Sequence, residues 1–494
     1  KNDVIYHEKE RLRKHAAMYK GSAGDERFYR NASKGLASKS QNQLANLLER
    51  FVLHYLDEIA GNFNPLIYGM ATRVIPGALT MMLNTMSPFR ILTNFPEIPT
   101  IDKTLIIGGE TTRLKRLKEL GAVMIYVPAH QSNLDSPLLG YAIYRADLPP
   151  VLYGAGLNLF QLPLFHFFMN RLGAYKVDRL KTSPLYKRCL KEFATVTLEL
   201  GYDHLFFPGG TRSRSGAIEP RLKKGLLGAV VRAFVNSRMR GVKTRFLVVP
   251  VTVSYHLVLE AGTLIEDHLK EQGKSRYIIM DDESSKPAVI LNFIKRLISL
   301  EGKVYLNFCD PIDPFGNGVD DEGNSLNRSG RAIDIESCVT RNGKAATDSQ
   351  RDGAYTEELA QRIRQAYISG STLLTTQAAA FVVFEMLFRK SASGDLFKFL
   401  RDEAYNMSVP FEEAERALQG ILERLGKMEK SGGVKLEETV RNGSAFDVLM
   451  NAVKYFGLYH KKPVIVRKGN RLFTMEPDLL YYYRNRLSGY GLEI

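Results

Sequence analysis

Cysteine is scarce in this chain of 494 residues: Cys189, Cys309 and Cys338 are scattered, with no metal-ligand spacing between them. So sparse and odd a set argues against a disulfide framework and for a reducing compartment. Long hydrophobic runs are scarce too. The most apolar long stretch, residues 151–169, is interrupted by Asn158, Gln161, Pro163 and His166. It fits a buried or interfacial element better than a bilayer-crossing helix, with Leu157, Phe160, Leu164, Phe165 and Phe168 facing either a lipid or the core. Residues 1–20 are charged and helix-like, without the apolar centre of a signal peptide. Internal repeats are absent, and the finger, basic-zipper and aromatic RNA-binding signatures are all missing, so nucleic acid is not the expected partner.

What is present is a globular composition, 45% apolar and 24% charged, in a chain long enough for two or more cores. The net charge of +15 asks for an acidic partner, either an anionic bilayer face or an acidic substrate, although solvated basic faces account for part of it. Residues 1–100 read as a mainly helical region, with helical apolar spacing over 44–59 and 78–86. Over 101–313 the pattern switches to short apolar strands (105–107, 123–127, 151–153, 204–207, 246–253, 304–308). These alternate with amphipathic helices at 112–120, 137–145, 185–200, 224–236 and 287–299. That alternation predicts an α/β domain with a central mixed sheet flanked by helices. Residues 314–355 form a polar loop or hairpin, and 356–494 a mainly helical C-terminal region. Within it, 463–466 and 471–474 pair as a hairpin before a Tyr-rich terminal helix at 479–487.

The chemistry-bearing motifs all fall in the α/β segment. His130 and Asp135 sit in Ala129-His130-Gln131-Ser132-Asn133-Leu134-Asp135, directly after a predicted strand. Five residues apart on one helix, they would not converge; across a strand-to-helix turn they do. Pro128 ends the strand, Ser132 or Asn133 caps the following helix, and Asp135 falls in its first turn, where negative charge is favoured. Taken alone, the pair is as well explained by a capping Asp and an ordinary polar His. Downstream, Gly173 and Arg179 bracket a short extended segment. The loop Pro208-Gly209-Gly210-Thr211-Arg212-Ser213-Arg214-Ser215-Gly216 follows another strand. Glycines admit an anion close to the backbone and arginines grip phosphate through charge-assisted bonds. Lys223 and Lys224 add charge at the start of the next helix. His256, without a carboxylate at motif spacing, reads as structural.

The joint order of these motifs is what is specific. It resembles the glycerolipid acyltransferase superfamily, in which H-x4-D, G-x5-R, E-G-x-R-S and a proline-containing strand follow one another. His130 and Asp135 match the first, Gly173 and Arg179 the second, Gly210, Arg212 and Ser213 the third, and Val249-Pro250-Val251 the fourth. The helical N-terminal region, residues 253–260 and the long C-terminal region ending Tyr481-Tyr482-Tyr483-Arg484-Asn485 resemble the large glycerol-3-phosphate and dihydroxyacetone-phosphate acyltransferases. One departure stands out: Gly209 occupies the place of the usual Glu, which leaves phosphate binding to arginines and backbone amides.

The resemblance implies transfer of an acyl group from acyl-CoA or acyl-carrier protein to glycerol 3-phosphate, with lysophosphatidic acid or dihydroxyacetone phosphate as alternative acceptors. An inactive lipid-binding relative is the reading from another class. His130 is expected to act as general base and Asp135 to fix its tautomer. Backbone N–H groups near the helix N-terminus are expected to hold the oxyanion. Arg179, Gly210, Thr211, Arg212, Ser213, Arg214 and Lys223 are expected to hold the phosphate. Neither cofactor nor metal is expected. The protein is expected to rest peripherally on the cytoplasmic side of an anionic membrane.

Overall fold

Strands with both faces covered read as unbroken apolar runs rather than alternating ones, and the centre of this molecule is built from two of them. The computed structural model describes residues 2–14, 23–34, 39–70, 104–156, 171–178, 180–272 and 303–494. Outside the described residues lie Arg179, the expected helices at 78–86 and 287–299, and most of the apolar stretch 151–169. The central sheet has seven strands: β1 (Leu105–Gly109), β2 (Val123–Pro128), β3 (Leu152–Gly156), β4 (Ala174–Val177), β5 (His204–Leu205), β6 (Phe246–Tyr255) and β7 (Val304–Phe308). Their order is β1-β7-β6-β2-β5-β3-β4. Every residue of β2 and β6 is buried, and each fully buried aliphatic side chain contributes roughly 1.5–3 kcal/mol.

Strands β6, β2, β5, β3 and β4 run parallel to one another, while β7 is antiparallel to β6 and parallel to β1. The sheet is therefore mixed. Parallel neighbours require crossovers. On the described part of the chain α4 (Thr111–Glu119) joins β1 to the oppositely directed β2, and the helices that cross between parallel strands are α5 (Asp135–Arg145), α6 (Pro184–Glu199) and α7 (Lys224–Met239). A further helix, α8 (Ala261–Gln272), follows β6; its segment carried no sequence assignment.

Three N-terminal helices, α1 (Asn2–Lys14), α2 (Ala23–Ser33) and α3 (Gln41–Ile59), build a small core of their own around Tyr29, Phe51 and Tyr55. They dock on β4 and α6 through Tyr175, Tyr186 and Cys189. A capping box between Ser40 and Gln43 fixes the start of α3. The C-terminal region behaves differently. Helices α9 (Ser349–Gly370), α10 (Thr375–Arg389), α11 (Phe411–Lys430), α12 (Ala445–Phe456) and α13 (Pro477–Arg484) share one continuous apolar core with the sheet. Polar ties reinforce it: the Tyr367 hydroxyl donates to the Val127 carbonyl at 2.9 Å, and Thr252 Oγ1 to the Gly370 carbonyl at 2.7 Å. The hairpin forms between Ile465–Lys468 and Arg471–Thr474, and Ser408–Pro410 adds a third strand. In the polar segment, two short antiparallel pairs, 318–319 with 325–326 and 340–341 with 344–345, give the loop its shape. Among the described residues, no helix is long and apolar enough to cross a membrane.

Candidate active site

Because β2, β5 and β6 are parallel neighbours, their carboxyl ends lie together, and the loops that leave them meet over one edge of the sheet. Those loops are residues 129–134 after β2, 206–223 after β5 and 256–260 after β6. His130 lies in the first and Asp135 opens α5. The His130 Nδ1–H donates to Asp135 Oδ2 at 2.8 Å. The carboxylate is fully buried and the imidazole is 11% exposed. A ring whose Nδ1 proton is held by a carboxylate presents Nε2 as its basic nitrogen. Phe207, from the loop after β5, stacks on the imidazole with centroids 4.0 Å apart.

Asp135 does more than orient His130. The same Oδ2 accepts the backbone N–H of Gln131 (2.6 Å) and Ser132 (3.0 Å), and Oδ1 accepts the Tyr255 hydroxyl at 2.6 Å. Burial and the Asp135 charge push the Tyr255 phenol far up, so it stays protonated and donates. The helix therefore starts differently from expectation. Neither Ser132 nor Asn133 caps it: Leu134 occupies the cap position without a side-chain bond, and Asp135 folds back to gather the preceding amides.

A second buried carboxylate, Glu260, completes the turn. Its Oε2 accepts the Ser132 hydroxyl at 2.8 Å, Oε1 accepts the Asn133 N–H at 2.9 Å, and Arg212 Nη1 lies 3.3 Å from Oε1. Burial raises the Glu260 carboxyl, and Arg212 and these donors oppose that rise. The expected oxyanion donors are thereby corrected. The amides of His130, Gln131, Ser132 and Asn133 are bound to Glu219, Asp135 and Glu260 carboxylates, and Leu134 N–H to Ser132 Oγ. Charged acceptors inside the protein outcompete any site they would offer to a substrate.

The Gly/Arg loop closes over the same turn. Ser213 N–H donates to the His130 carbonyl at 2.8 Å, while its hydroxyl donates to the Ala217 carbonyl at 2.6 Å. That hydroxyl proton is spent inside the loop, so Ser213 holds the loop's shape and is not a phosphate donor. Arg212 faces Glu260, Arg214 Nη1 pairs with Glu271 at 2.9 Å, and Thr211 is partly exposed. Lys223 lies across Gly210, where an added Cβ would come 2.6 Å from its Nζ. Arg212, Arg214 and Lys223 thus belong to one loop beside His130. Arg179 lies outside the described residues.

The departure at Gly209 has a structural counterpart. Glu219 packs against the bare Gly209 backbone, where a Cβ would meet its Cγ at 3.2 Å and Oε1 at 3.3 Å. Its Oε1 accepts the His130 backbone N–H at 2.9 Å. Burial raises the Glu219 carboxyl, opposed by that bond and by the field of Arg486. A carboxylate therefore stands beside residue 209 even though residue 209 has none. Tyr255, Glu260, Glu219 and Phe207 were not singled out as site residues by sequence. His256, read as structural, stacks on Tyr455 (4.0 Å) and lies 3.2 Å from Glu437, inside the interface with the C-terminal region.

Away from this site, Asp25, His54 and Glu58 lie close enough together to ligate a cation. Arg11, 3.4 Å from Asp25, and Lys181, bonded to Glu58, already neutralise them.

Residues 110–254, the segment that holds the buried carboxylate-imidazole pair on the parallel sheet edge, match the family model described as Acyltransferase. Among individual proteins the chain is similar to glycerol-3-phosphate acyltransferases. One, from Pseudomonas putida, is 34% identical over 194 residues, 39% of this chain and 22% of the relative. Another, from Pasteurella multocida, is 26% identical over 401 residues, 75% of this chain and 45% of the relative. The chain thus spans less than half the length of these relatives. Among solved structures, the 1-acyl-sn-glycerophosphate (LPA) acyltransferase PlsC from Thermotoga maritima aligns with 59% of this chain and 96% of its own. That alignment has 16% identity and a TM-score of 0.24.

Proposed function

We propose that this protein is a glycerol-3-phosphate 1-O-acyltransferase using an acyl thioester, acyl-CoA or acyl-carrier protein, as donor. The observation that carries the reading is the His130–Asp135 pair, with its carboxylate fully buried and its imidazole beside a loop bearing Arg212, Arg214 and Lys223. The names of the relatives support the choice of acceptor. In this reading His130 Nε2 takes the proton of the primary hydroxyl while the alcohol oxygen attacks the thioester carbonyl. The C–S bond then breaks, and His130 returns the proton to the departing thiolate. Asp135 holds the tautomer and stabilises the imidazolium throughout. The thioester supplies the activated acyl group, so the reaction as written needs neither cofactor nor metal. Arg212 and Arg214 would take the acceptor phosphate in exchange for, or shared with, Glu260 and Glu271, and Lys223 would add a point charge.

The test is thiol release from palmitoyl-CoA with and without glycerol 3-phosphate, in wild type and His130→Ala. Release that needs both the acceptor and His130 is expected, with the variant down by about 10²–10⁴-fold. Equal turnover in the two proteins would overturn the mechanism; release only with lysophosphatidic acid or dihydroxyacetone phosphate would reassign the acceptor. We also propose that the protein rests peripherally on the cytoplasmic side of an anionic membrane, on the strength of its +15 net charge and the lipid nature of the product. Cosedimentation with anionic vesicles that weakens as salt rises is the expected result; salt-independent absence from the pellet would count against it.

A further inference from the structure

Three helical faces converge on a cleft that the acyl-transfer chemistry does not use. Arg188, Lys191 and Glu192 lie on one face of α6, Lys224, Gly228 and Arg232 on one face of α7, and Ser349, Asp352, Gly353 and Thr356 on the first two turns of α9. The cavity they enclose has a volume of about 420 Å³. Four cations and two carboxylates line it, and the pairing is uneven. Arg188 is matched by Glu192 at 2.8 Å, Lys224 by Glu357 at 2.5 Å, and Asp352 is occupied by Arg351 at 2.8 Å. Lys191 and Arg232 have no carboxylate within ion-pair distance among the described residues, although both are partly buried. Two partly buried cations that line one cleft repel each other, and an anion bound beside them would relieve that repulsion. Burial, and then the nearby Arg188 and Arg232 charges, push the Lys191 ammonium below its ordinary value, with Glu192 and Asp352 opposing them.

Local geometry keeps the cleft open. A Cβ at Gly228 would lie 3.0 Å from Lys191 Nζ, so glycine in mid-helix, at a cost of about 1 kcal/mol relative to alanine, leaves room for the ammonium. Lys224 joins this cleft to the active-site loop, because it follows Lys223 directly, and Arg221 and Arg364 continue the basic surface beyond it.

We propose that the cleft between α6, α7 and the start of α9 is a second anion site, which holds a phosphoryl group on Lys191 and Arg232. The site is separate from the acceptor phosphate loop. A soluble phosphate ester, such as the nucleotide end of a coenzyme A thioester, and a phospholipid headgroup offer the same chemistry, and the test separates them. Binding of inorganic pyrophosphate and of coenzyme A to the full chain is measured by calorimetry. Sedimentation is measured with phosphatidylcholine vesicles with and without phosphatidic acid. Each is done for wild type, Lys191→Met, Arg232→Gln and the double variant, with circular dichroism confirming the fold.

At least a tenfold weakening of pyrophosphate and coenzyme A binding in the double variant is expected if the ligand is soluble. The same loss confined to the phosphatidic acid vesicles would assign the site to a headgroup. Affinities unchanged in both arms would overturn the proposal. None of these readouts requires turnover, so a wrong assignment of the acyltransferase activity leaves the test intact. His130→Ala, which removes the proposed base, is expected to bind every probe as wild type does.

Discussion

At the scale of single residues, Asp135 is the most heavily used atom group in the site. It accepts His130 Nδ1–H, two backbone amides and the Tyr255 hydroxyl, with no exposure to solvent. Three of these donors share Oδ2, and the Tyr255 hydroxyl alone serves Oδ1. Asp135→Asn keeps the shape but presents an amide N–H to donors on at least one side. Its kcat is expected to fall by about 10²-fold or more, with the acceptor KM little changed, which steady-state kinetics would show. Tyr255→Phe removes one donor and leaves Oδ1 unpaired. A smaller loss in kcat is expected, with about 1–3 kcal/mol of stability lost in urea unfolding. Wild-type kcat in Tyr255→Phe would mean that the hydroxyl only fills space.

At the scale of elements, the N-terminal helices are held by charge as well as by their apolar core. His54 on α3 lies 3.4 Å from Asp25 on α2 and 3.2 Å from Glu58. Burial works against its protonation, but Asp25 and Glu58 outweigh it and raise the imidazole to about 9. A folded-state value above the unfolded one, about 6.5, means that this stabilisation is fully present below the unfolded value. It is lost as pH rises through about 9. The thermal stability of the N-terminal helices is therefore expected to fall between pH 7 and pH 10. His54→Gln should flatten that part of the profile; an identical pH profile in the variant would assign the loss to other groups.

At the scale of the whole molecule, the central sheet does not stand alone. Gly370 takes hydrogen bonds from Thr252 and Asn307, and Tyr367 donates to Val127, one strand-end away from His130. The Tyr483 hydroxyl receives the Val258 N–H at 3.1 Å, and Asn485 Nδ2 donates to the Ser215 carbonyl in the Gly/Arg loop at 2.9 Å. A chain ended after residue 313 would expose the apolar face that α9 and α10 cover. Such a fragment is expected to be insoluble or unfolded by circular dichroism, whereas the full chain melts with sheet and C-terminal region together. A soluble, folded fragment would show that the sheet has a sufficient core of its own.

How much of this was legible beforehand depends on distance along the chain. The strand-turn-helix that joins His130 to Asp135 is local, so apolar patterning, Pro128 and five-residue spacing sufficed to place it. The sheet strands were equally readable, since continuous burial writes itself as unbroken apolar runs. The same local reading erred where polar partners come from afar. Amides expected to face an oxyanion are taken by Glu219 and Glu260, and the Ser213 hydroxyl by its own loop. Tyr255 and Glu260 reach the turn only because β6 lies parallel beside β2, a pairing across more than a hundred residues that no periodicity records. The sequence by itself determined which segments become strands, where His130 and Asp135 sit, and which loop carries the cations, because each rests on neighbours in the chain. Tertiary structure alone decided which buried acids hold that turn and how the C-terminal tyrosines close over it, because those contacts follow from strand order and packing.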